Sequence, residues 1–148
     1  MKEKRIIGRR EKITLPEWGL HMISGKIDTG AYTSSIHCEY VQEKTVDGIS
    51  ILEFKVLAPG HIKYKDRLIK TANYTQKKVK NSFGVAEIRY KVNTIVSMFG
   101  EEFEAEFTLS DRSKMRNAIL IGRKTLKGKF LVDIDQVNLS KNFKNPNT

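Results

Sequence analysis

Hydrophobic and polar positions alternate along this chain in short runs, and this pattern predicts strands rather than helices. The clearest run lies at 102–109, where Phe103, Ala105, Phe107 and Leu109 are separated by polar residues. A period of two is typical of a strand with one buried face. Further strands are predicted at 6–15, 20–28, 35–41, 49–57, 85–98, 118–121 and 130–134.

Turn residues separate these runs. Pro16 ends the first run, and Asp47-Gly48 joins two apolar runs as a hairpin signal. One short helical turn is predicted at 123–127, closed by Gly128. The stretch 59–84 has only weak periodicity and fits either a long hairpin or a loop. Many short strands with turns between them predict an all-β protein, either a small barrel or a sandwich.

Length and composition favour one globular domain. The chain has 148 residues, of which 39% are hydrophobic, and we assign residues 1–137 to the domain and 138–148 to a polar C-terminal tail that is expected to fray. No run approaches the ~18 apolar residues of a membrane helix, and the first residues lack the apolar run of a signal peptide. With Cys38 as its single cysteine, the chain has no internal disulfide. We therefore expect a cytoplasmic protein without a membrane partner.

The positive charge is concentrated in one part of the chain. The formal net charge is +10, and residues 55–91, here called the basic segment, contain ten Lys or Arg against two acids. Such a field can steer an anionic partner, for example an acidic peptide or a nucleic acid. The more ordinary interpretation is a solvated, lysine-rich surface loop. Nucleic acid is the less favoured partner, because the basic segment lacks the interleaved arginine and aromatic residues of a nucleic-acid reader.

The chemistry centres on Ile27-Asp28-Thr29-Gly30-Ala31. An Asp at the end of an apolar strand is costly to bury as an anion unless nearby donors hold it. The following Thr-Gly offers a hydroxyl and accessible backbone N–H groups, and the glycine allows a close backbone approach. Alone, a three-residue match is a weak signal, since it is more often an ordinary turn.

Acid–base hydrolysis by carboxylates of this type needs two of them, sharing one proton. The Asp-Thr-Gly motif occurs once in the chain. A second copy of the chain would therefore have to supply the second carboxylate.

Longer blocks extend the match around the motif. In order they are GKIDTGAYTSSIH at 25–37, FEAEFTLSDRSKM at 103–115, ILIGR at 119–123 and GKFLVD at 128–133. Together they resemble the retropepsin-like aspartic protease family that often carries the label ATP-dependent zinc protease. The resemblance extends from about residue 6 to about residue 133.

The resemblance implies a closed acid-protease barrel with one short helix, one catalytic Asp per chain and a homodimer. It implies that Asp28 is the catalytic residue. The residues implied to support the active site are Thr29, Gly30, Ala31, Ile121 and Gly122, with the last two packed behind the turn. Relatives are associated with glutamate-ligase systems, which implies an acidic or glutamate-rich peptide substrate and an association with a ligase of that type.

Several residues in the matched blocks are candidates for substrate binding. They are Tyr32, Thr33, His37, Arg112 and Arg123. Tyr32 stands where this family usually has Arg, and Asn117-Ala118 replaces a usual Pro. His37 also fits a structural role with satisfied ring nitrogens, and each arginine also fits an ion pair with Asp111 or Asp133.

The residues do not match the label of an ATP-dependent zinc enzyme. The chain has no phosphate-binding loop and no His-Glu-x-x-His motif. His37 and Cys38 are neighbours on a predicted strand, so their side chains face opposite ways. Ser34 and Ser35 lack the context of a nucleophile elbow and are assigned to the turn or strand. We expect no metal and no cofactor.

These observations predict an aspartic-type endopeptidase that acts as a homodimer on peptide or protein substrates. The alternative is a non-catalytic module that binds a peptide or protein on an acid-protease fold.

Overall fold

The computed structural model describes residues 3–80 and 83–143. Within them lie the strands β1 Arg5–Ile7, β2 Arg10–Leu15, β3 Leu20–Ile27, β4 Ser34–Val46, β5 Ile49–Val56, β6 Ile69–Thr71, β7 Tyr74–Lys80, β8 Ala86–Met98, β9 Glu101–Ser110, β10 Ile119–Ile121 and β11 Phe130–Val132. The same residues contain one α-helix, α1 Arg123–Leu126, and a 3-10 turn, Pro16–Trp18. Among these described residues, no helix is long and apolar enough to cross a membrane.

Six strands form a closed barrel. Their order is β10–β3–β2–β8–β9–β4, and the ring closes because β4 also pairs with β10. This closed barrel, with one short helix, confirms the all-β fold that the sequence predicts. β5 and β6 continue the sheet outward from β4, and β7 pairs with β8.

Alternate residues of the barrel strands fill the core. On β9, Ala105, Phe107 and Leu109 are buried, as their period-two spacing predicts. Trp18 is 4% exposed and lies with its ring centroid 5.7 Å from Phe54 and 5.6 Å from Phe107. Edge-on aromatic contacts of this kind add to the stabilisation from burial.

The single strand predicted at 6–15 is wrong, because the chain breaks there into β1 and β2. The backbone N–H of Gly8 donates to Glu11 Oε2 at 2.7 Å, and that of Arg9 donates to the carbonyl of Gln136 at 2.9 Å. β1 then leaves the barrel sheet and pairs in parallel with β11.

The weakly periodic stretch 59–84 contains two strands. β6 pairs with β5, and β7 pairs with β8 as a long antiparallel hairpin. Residues 81 and 82 of this stretch lie outside the described residues. Most side chains of β7 are exposed on both faces, which explains the missing period-two signal.

The C-terminal residues pack on the barrel, so the prediction of fraying is wrong for 138–143. The buried Ser140 donates from its backbone N–H and from Oγ to Glu11 Oε1, at 2.8 Å in both cases. Phe143 packs edge-on against Phe99 with centroids 5.5 Å apart. The rest of the predicted tail, 144–148, lies outside the described residues.

Candidate active site

The Asp28 turn directly follows β3 and is held by backbone hydrogen bonds. The N–H of Asp28 donates to the carbonyl of Ile121 at 2.9 Å, and the N–H of Gly30 donates to Asp28 Oδ1 at 2.9 Å. A Cβ at Gly30 would lie 3.2 Å from the same carboxylate oxygen. The motif thus supplies the donor and the close approach that its Gly predicts, and it leaves the carboxylate half-buried.

β10 braces this turn from behind. It lies between β3, to which it is parallel, and β4, to which it is antiparallel, so Leu120 neighbours both Lys26 and Ser35. The next residue but one, Gly122, lies against the chain that follows the motif. A Cβ there would come within 2.8 Å of the carbonyl oxygen of Tyr32 and the carbonyl carbon of Thr33.

A buried hydroxyl pair locks the same region. Ser34 Oγ accepts the N–H of Gly122 at 3.0 Å and lies 2.7 Å from Thr125 Oγ1 on α1. The sequence around Ser34 predicts only a turn or strand residue and does not reveal this role. The available signal was its place inside the matched block at 25–37.

Arg123 binds the backbone of the motif rather than a carboxylate. Its Nη1 donates to the carbonyl of Thr29 at 2.8 Å, and its N–H donates to the carbonyl of Ala31 at 2.8 Å. Its guanidinium carbon also lies 5.8 Å from the ring centroid of Tyr32, which is 57% exposed. The alternative expectation, an ion pair of Arg123 with Asp111 or Asp133, is therefore wrong.

Arg112 reaches towards the motif from the loop before β10. Its Nε donates to the carbonyl of Asn117 at 2.9 Å, and its Nη1 lies 3.4 Å from Ser35 Oγ. Partial burial lowers the pKa of the Arg112 guanidinium, and the negative charge of Asp28 opposes that shift. Arg112 thus lies within electrostatic reach of Asp28, and its considered ion pair with Asp111 is wrong.

His37 is a structural histidine that also lines a pocket. It is buried, its Nδ1 accepts the backbone N–H of Arg112 at 2.7 Å, and its Nε2 lies 3.3 Å from Glu39 Oε1. Together with Arg112 it lines a pocket of about 370 Å³.

The neighbouring Cys38 is buried, and its Sγ donates to the carbonyl of Tyr40 at 3.1 Å. Burial raises the pKa of the Cys38 thiol to about 12, so the thiol is neutral and unsuited to nucleophilic attack. In the part of the chain that the structure describes, no group of three or more His, Cys, Asp or Glu side chains is placed to hold a metal ion.

The structure thus brings most of the candidate residues together around one turn. These are Asp28, Thr29, Gly30, Ala31, Tyr32, Thr33, Ile121, Gly122 and Arg123. Arg112 lies within electrostatic reach of Asp28, and His37 accepts the backbone N–H of Arg112.

This arrangement coincides with a match to a known family. The model of the RimB-like family, described as retropepsin-like aspartic endopeptidase RimB, matches residues 6–142. The chain belongs to the RimB-like family. The retropepsin-like resemblance of the sequence blocks is thereby confirmed.

Curated relatives of this RimB-like chain carry a different name. It is 32% identical over 131 residues to a probable alpha-L-glutamate ligase of Desulfotalea psychrophila, covering 88% of this chain. It is 31% identical over 137 residues to a probable alpha-L-glutamate ligase of Parasynechococcus marenigrum, covering 90% of this chain. In both cases it spans only 28% of the relative's length.

The fold also matches a solved structure. A Legionella pneumophila protein of unknown function (DUF785) superposes with a TM-score of 0.73 at 24% identity, covering 93% of this chain and 99% of that one. This likeness supports the fold of the RimB-like chain.

Proposed function

We propose that the protein is an aspartic-type endopeptidase that acts as a homodimer, with one Asp28 from each chain in a shared pair. The observation that carries the proposal is the braced Asp28 turn. Its carboxylate accepts the N–H of Gly30, and its backbone is tied to Ile121. The chain has only one such motif, so a two-carboxylate mechanism requires a second copy.

In such a pair, two carboxylates at close range share one proton, because like charges resist simultaneous ionisation. The ionised Asp28 takes a proton from a bound water, which attacks the scissile carbonyl. The neutral Asp28 of the other copy donates a hydrogen bond to that carbonyl oxygen and then protonates the leaving amine. The exposure of Thr29 and Gly30 supports this arrangement, since both stand open to a second motif.

The proposed substrate is an acidic or glutamate-rich peptide. Support comes from the basic segment, which contains ten Lys or Arg and only two acidic residues. Within it, β7 presents Lys77, Lys78 and Lys80 as exposed side chains on the long hairpin with β8. We assign to this hairpin the role of the substrate-covering flap. Its positive field would then attract an anionic chain to the site.

The proposed partner is a glutamate-ligase-type enzyme. The support is that the curated relatives are named probable alpha-L-glutamate ligases, and that this chain corresponds to about 28% of their length. A peptidase that cleaves glutamate-rich chains and a ligase that adds glutamate would have opposing activities on one substrate. We propose that both act in the cytoplasm.

The experiment compares the wild type with Asp28→Asn, an almost isosteric change that removes the ionisable group. We expect a dimer in both, and a loss of peptide cleavage of at least about a thousandfold in the variant, because the asparagine pair cannot accept a proton from water. Molar mass by light scattering and cleavage of a peptide library from about pH 4 to about pH 8 are measured on the same samples.

Asp47→Asn, in the exposed turn between β4 and β5, is the matched control and should cleave as the wild type does. Cleavage that survives Asp28→Asn would overturn the mechanism. A strict monomer without cleavage would instead favour the non-catalytic binding module.

A further inference from the structure

The outer face of β3 leads from the Asp28 turn onto the neighbouring strand β10. On β3, the buried side chains Ile23 and Ile27 face the core, and Ser24 and Lys26 alternate with them. Because side chains alternate between the two faces of a strand, Ser24 and Lys26 share the outer face of β3, and the Asp28 turn follows directly after this strand. Leu120 on β10 lies beside Lys26, so this face extends across the barrel wall.

The pocket of about 370 Å³ adjoins this face, because Ser24 of β3 lines it. The lining residues that can hold a ligand are Ser24, His37, His61, Arg112, Arg116 and Asn117. Ser24 is four residues from Asp28 along β3, which corresponds to roughly 13 Å in an extended strand. The pocket is therefore a few peptide residues away from the carboxylate of the motif.

Hydrogen-bond donors dominate the lining. The Nδ1 of His61 accepts the backbone N–H of Lys63 at 2.9 Å, so the ring proton must be on Nε2. His37 follows the same logic, because its Nδ1 accepts the N–H of Arg112. Arg112 and Arg116 have guanidinium groups, which donate and never accept.

The acids near this lining are few and engaged. Glu39 lines the pocket, and its Oε1 lies 3.3 Å from His37 Nε2. Asp111 lies 3.8 Å from His37 Nδ1, and hydrogen bonds from Ser113 lower the pKa of its carboxyl. Two permanent cations, with imidazole and amide donors beside them, leave the pocket suited to an oxyanion.

We propose that this pocket binds a side-chain carboxylate of an acidic peptide substrate, a few residues from the bond that is cleaved. Arg112 and Arg116 form charge-assisted hydrogen bonds with the carboxylate, and His61 donates a third. Arg112 links the two sites, since it lines the pocket and also feels the charge of Asp28. That the bound carboxylate belongs to a substrate rests on the proposed function. That the pocket binds a carboxylate does not.

The test measures binding apart from catalysis. The probe is a fluorescent oligoglutamate peptide of about eight residues, which spans roughly 26 Å when extended. Its anisotropy is titrated with full-length Asp28→Asn, which binds without cleaving. We expect that adding Arg116→Gln and His61→Gln to this variant weakens binding at least about tenfold, because one to two charge-assisted contacts are lost.

The matched control carries Arg9→Gln and His21→Gln, which make the same chemical changes away from the pocket. It should bind within about twofold of its parent, because both side chains are exposed and neither lines the pocket. Thermal melting checks that all variants fold. Equal binding by the pocket variant and the control would overturn the inference, as would displacement of the peptide by inorganic phosphate at lower concentration than by glutarate.

The two proposals fail in different ways. If wild-type protein cleaves glutamate-rich peptides and the pocket variant binds them unchanged, the pocket assignment fails alone. If the pocket variant loses binding and the wild type cleaves nothing, the peptidase proposal fails and the carboxylate site stands.

Discussion

At the scale of single residues, Gly122 fixes the shape of the Asp28 turn. Its φ of −91° is open to any residue, so the demand for glycine is steric. A methyl group there would meet backbone atoms of Tyr32 and Thr33 at 2.8 Å, and backbone cannot move aside as a side chain can. We expect Gly122→Ala to lower the free energy of unfolding by about 1–3 kcal/mol and to reduce peptide cleavage further than its stability loss explains.

Gly60→Ala is the control for this change. Among the described residues, no heavy atom lies within 4 Å of a Cβ at Gly60. Chemical denaturation is measured on both variants, and kcat/KM is measured on Gly122→Ala beside the wild type. Equal stability of the two would contradict the steric role of Gly122.

Cys38 makes the free energy of unfolding depend on pH in the alkaline range. Its thiol pKa rises from 9.0 to about 12 on folding because of burial. Between these values the unfolded chain has lost the proton and the folded chain keeps it, so the free energy of unfolding falls as pH rises from about 9 to about 12. We expect this fall to be steeper for the wild type than for Cys38→Ala in urea denaturation at several pH values. Parallel curves would show that the thiol does not contribute.

The sequence predicted the Asp28 turn because its donors are local. Gly30 is two residues from the carboxylate that it binds, and such contacts can be read from a short motif. Ser34 and Glu11 could not be assigned in this way. Their partners, Gly122 and Ser140, are far along the chain, so only the folded barrel brings them together.

At the scale of elements, β9 and β7 show when a strand can be predicted. β9 has one face in the core and one outside, so its sequence alternates. β7 lies on a hairpin that extends from the barrel, with water on both sides, and no hydrophobic period is required. The period-two signal reports burial rather than strand conformation, and it disappears where burial is absent.

The lysines of β7 give the element-scale prediction. We expect the triple change Lys77→Gln, Lys78→Gln and Lys80→Gln to lower kcat/KM for a glutamate-rich peptide about tenfold, because the attraction of the anionic chain is reduced. A neutral peptide of equal length should be cleaved at the wild-type rate.

The charge-conserving triple Lys77→Arg, Lys78→Arg and Lys80→Arg should keep the preference for the acidic peptide. If the arginine triple loses this preference as the glutamine triple does, the lysine side chains themselves matter rather than their charge. If the glutamine triple keeps it, the positive charge of β7 does not attract the peptide.

At the scale of the whole molecule, charge opposes the proposed dimer. Each copy carries a formal +10, and two such copies repel over a Debye length of about 30 Å at 0.01 M salt but only about 8 Å at 0.15 M. We expect the dimer to become tighter over this range in sedimentation velocity, while the KM for an acidic peptide rises. A dimer that dissociates with added salt would mean that opposite charges hold the interface.

The closure of the barrel by β10 also bears on how the chain folds. Asp28 lies near the start of the chain and is synthesised early. The strand that braces it, β10, pairs with β3 across about ninety residues of sequence. Contacts of such long range are the slow step of folding, since the entropy of closing the loop is lost before the pairing forms. A growing or partly folded chain would therefore contain the motif without its brace. The proposed hydrolysis would then require the closed barrel, so that a partly folded copy would be inactive.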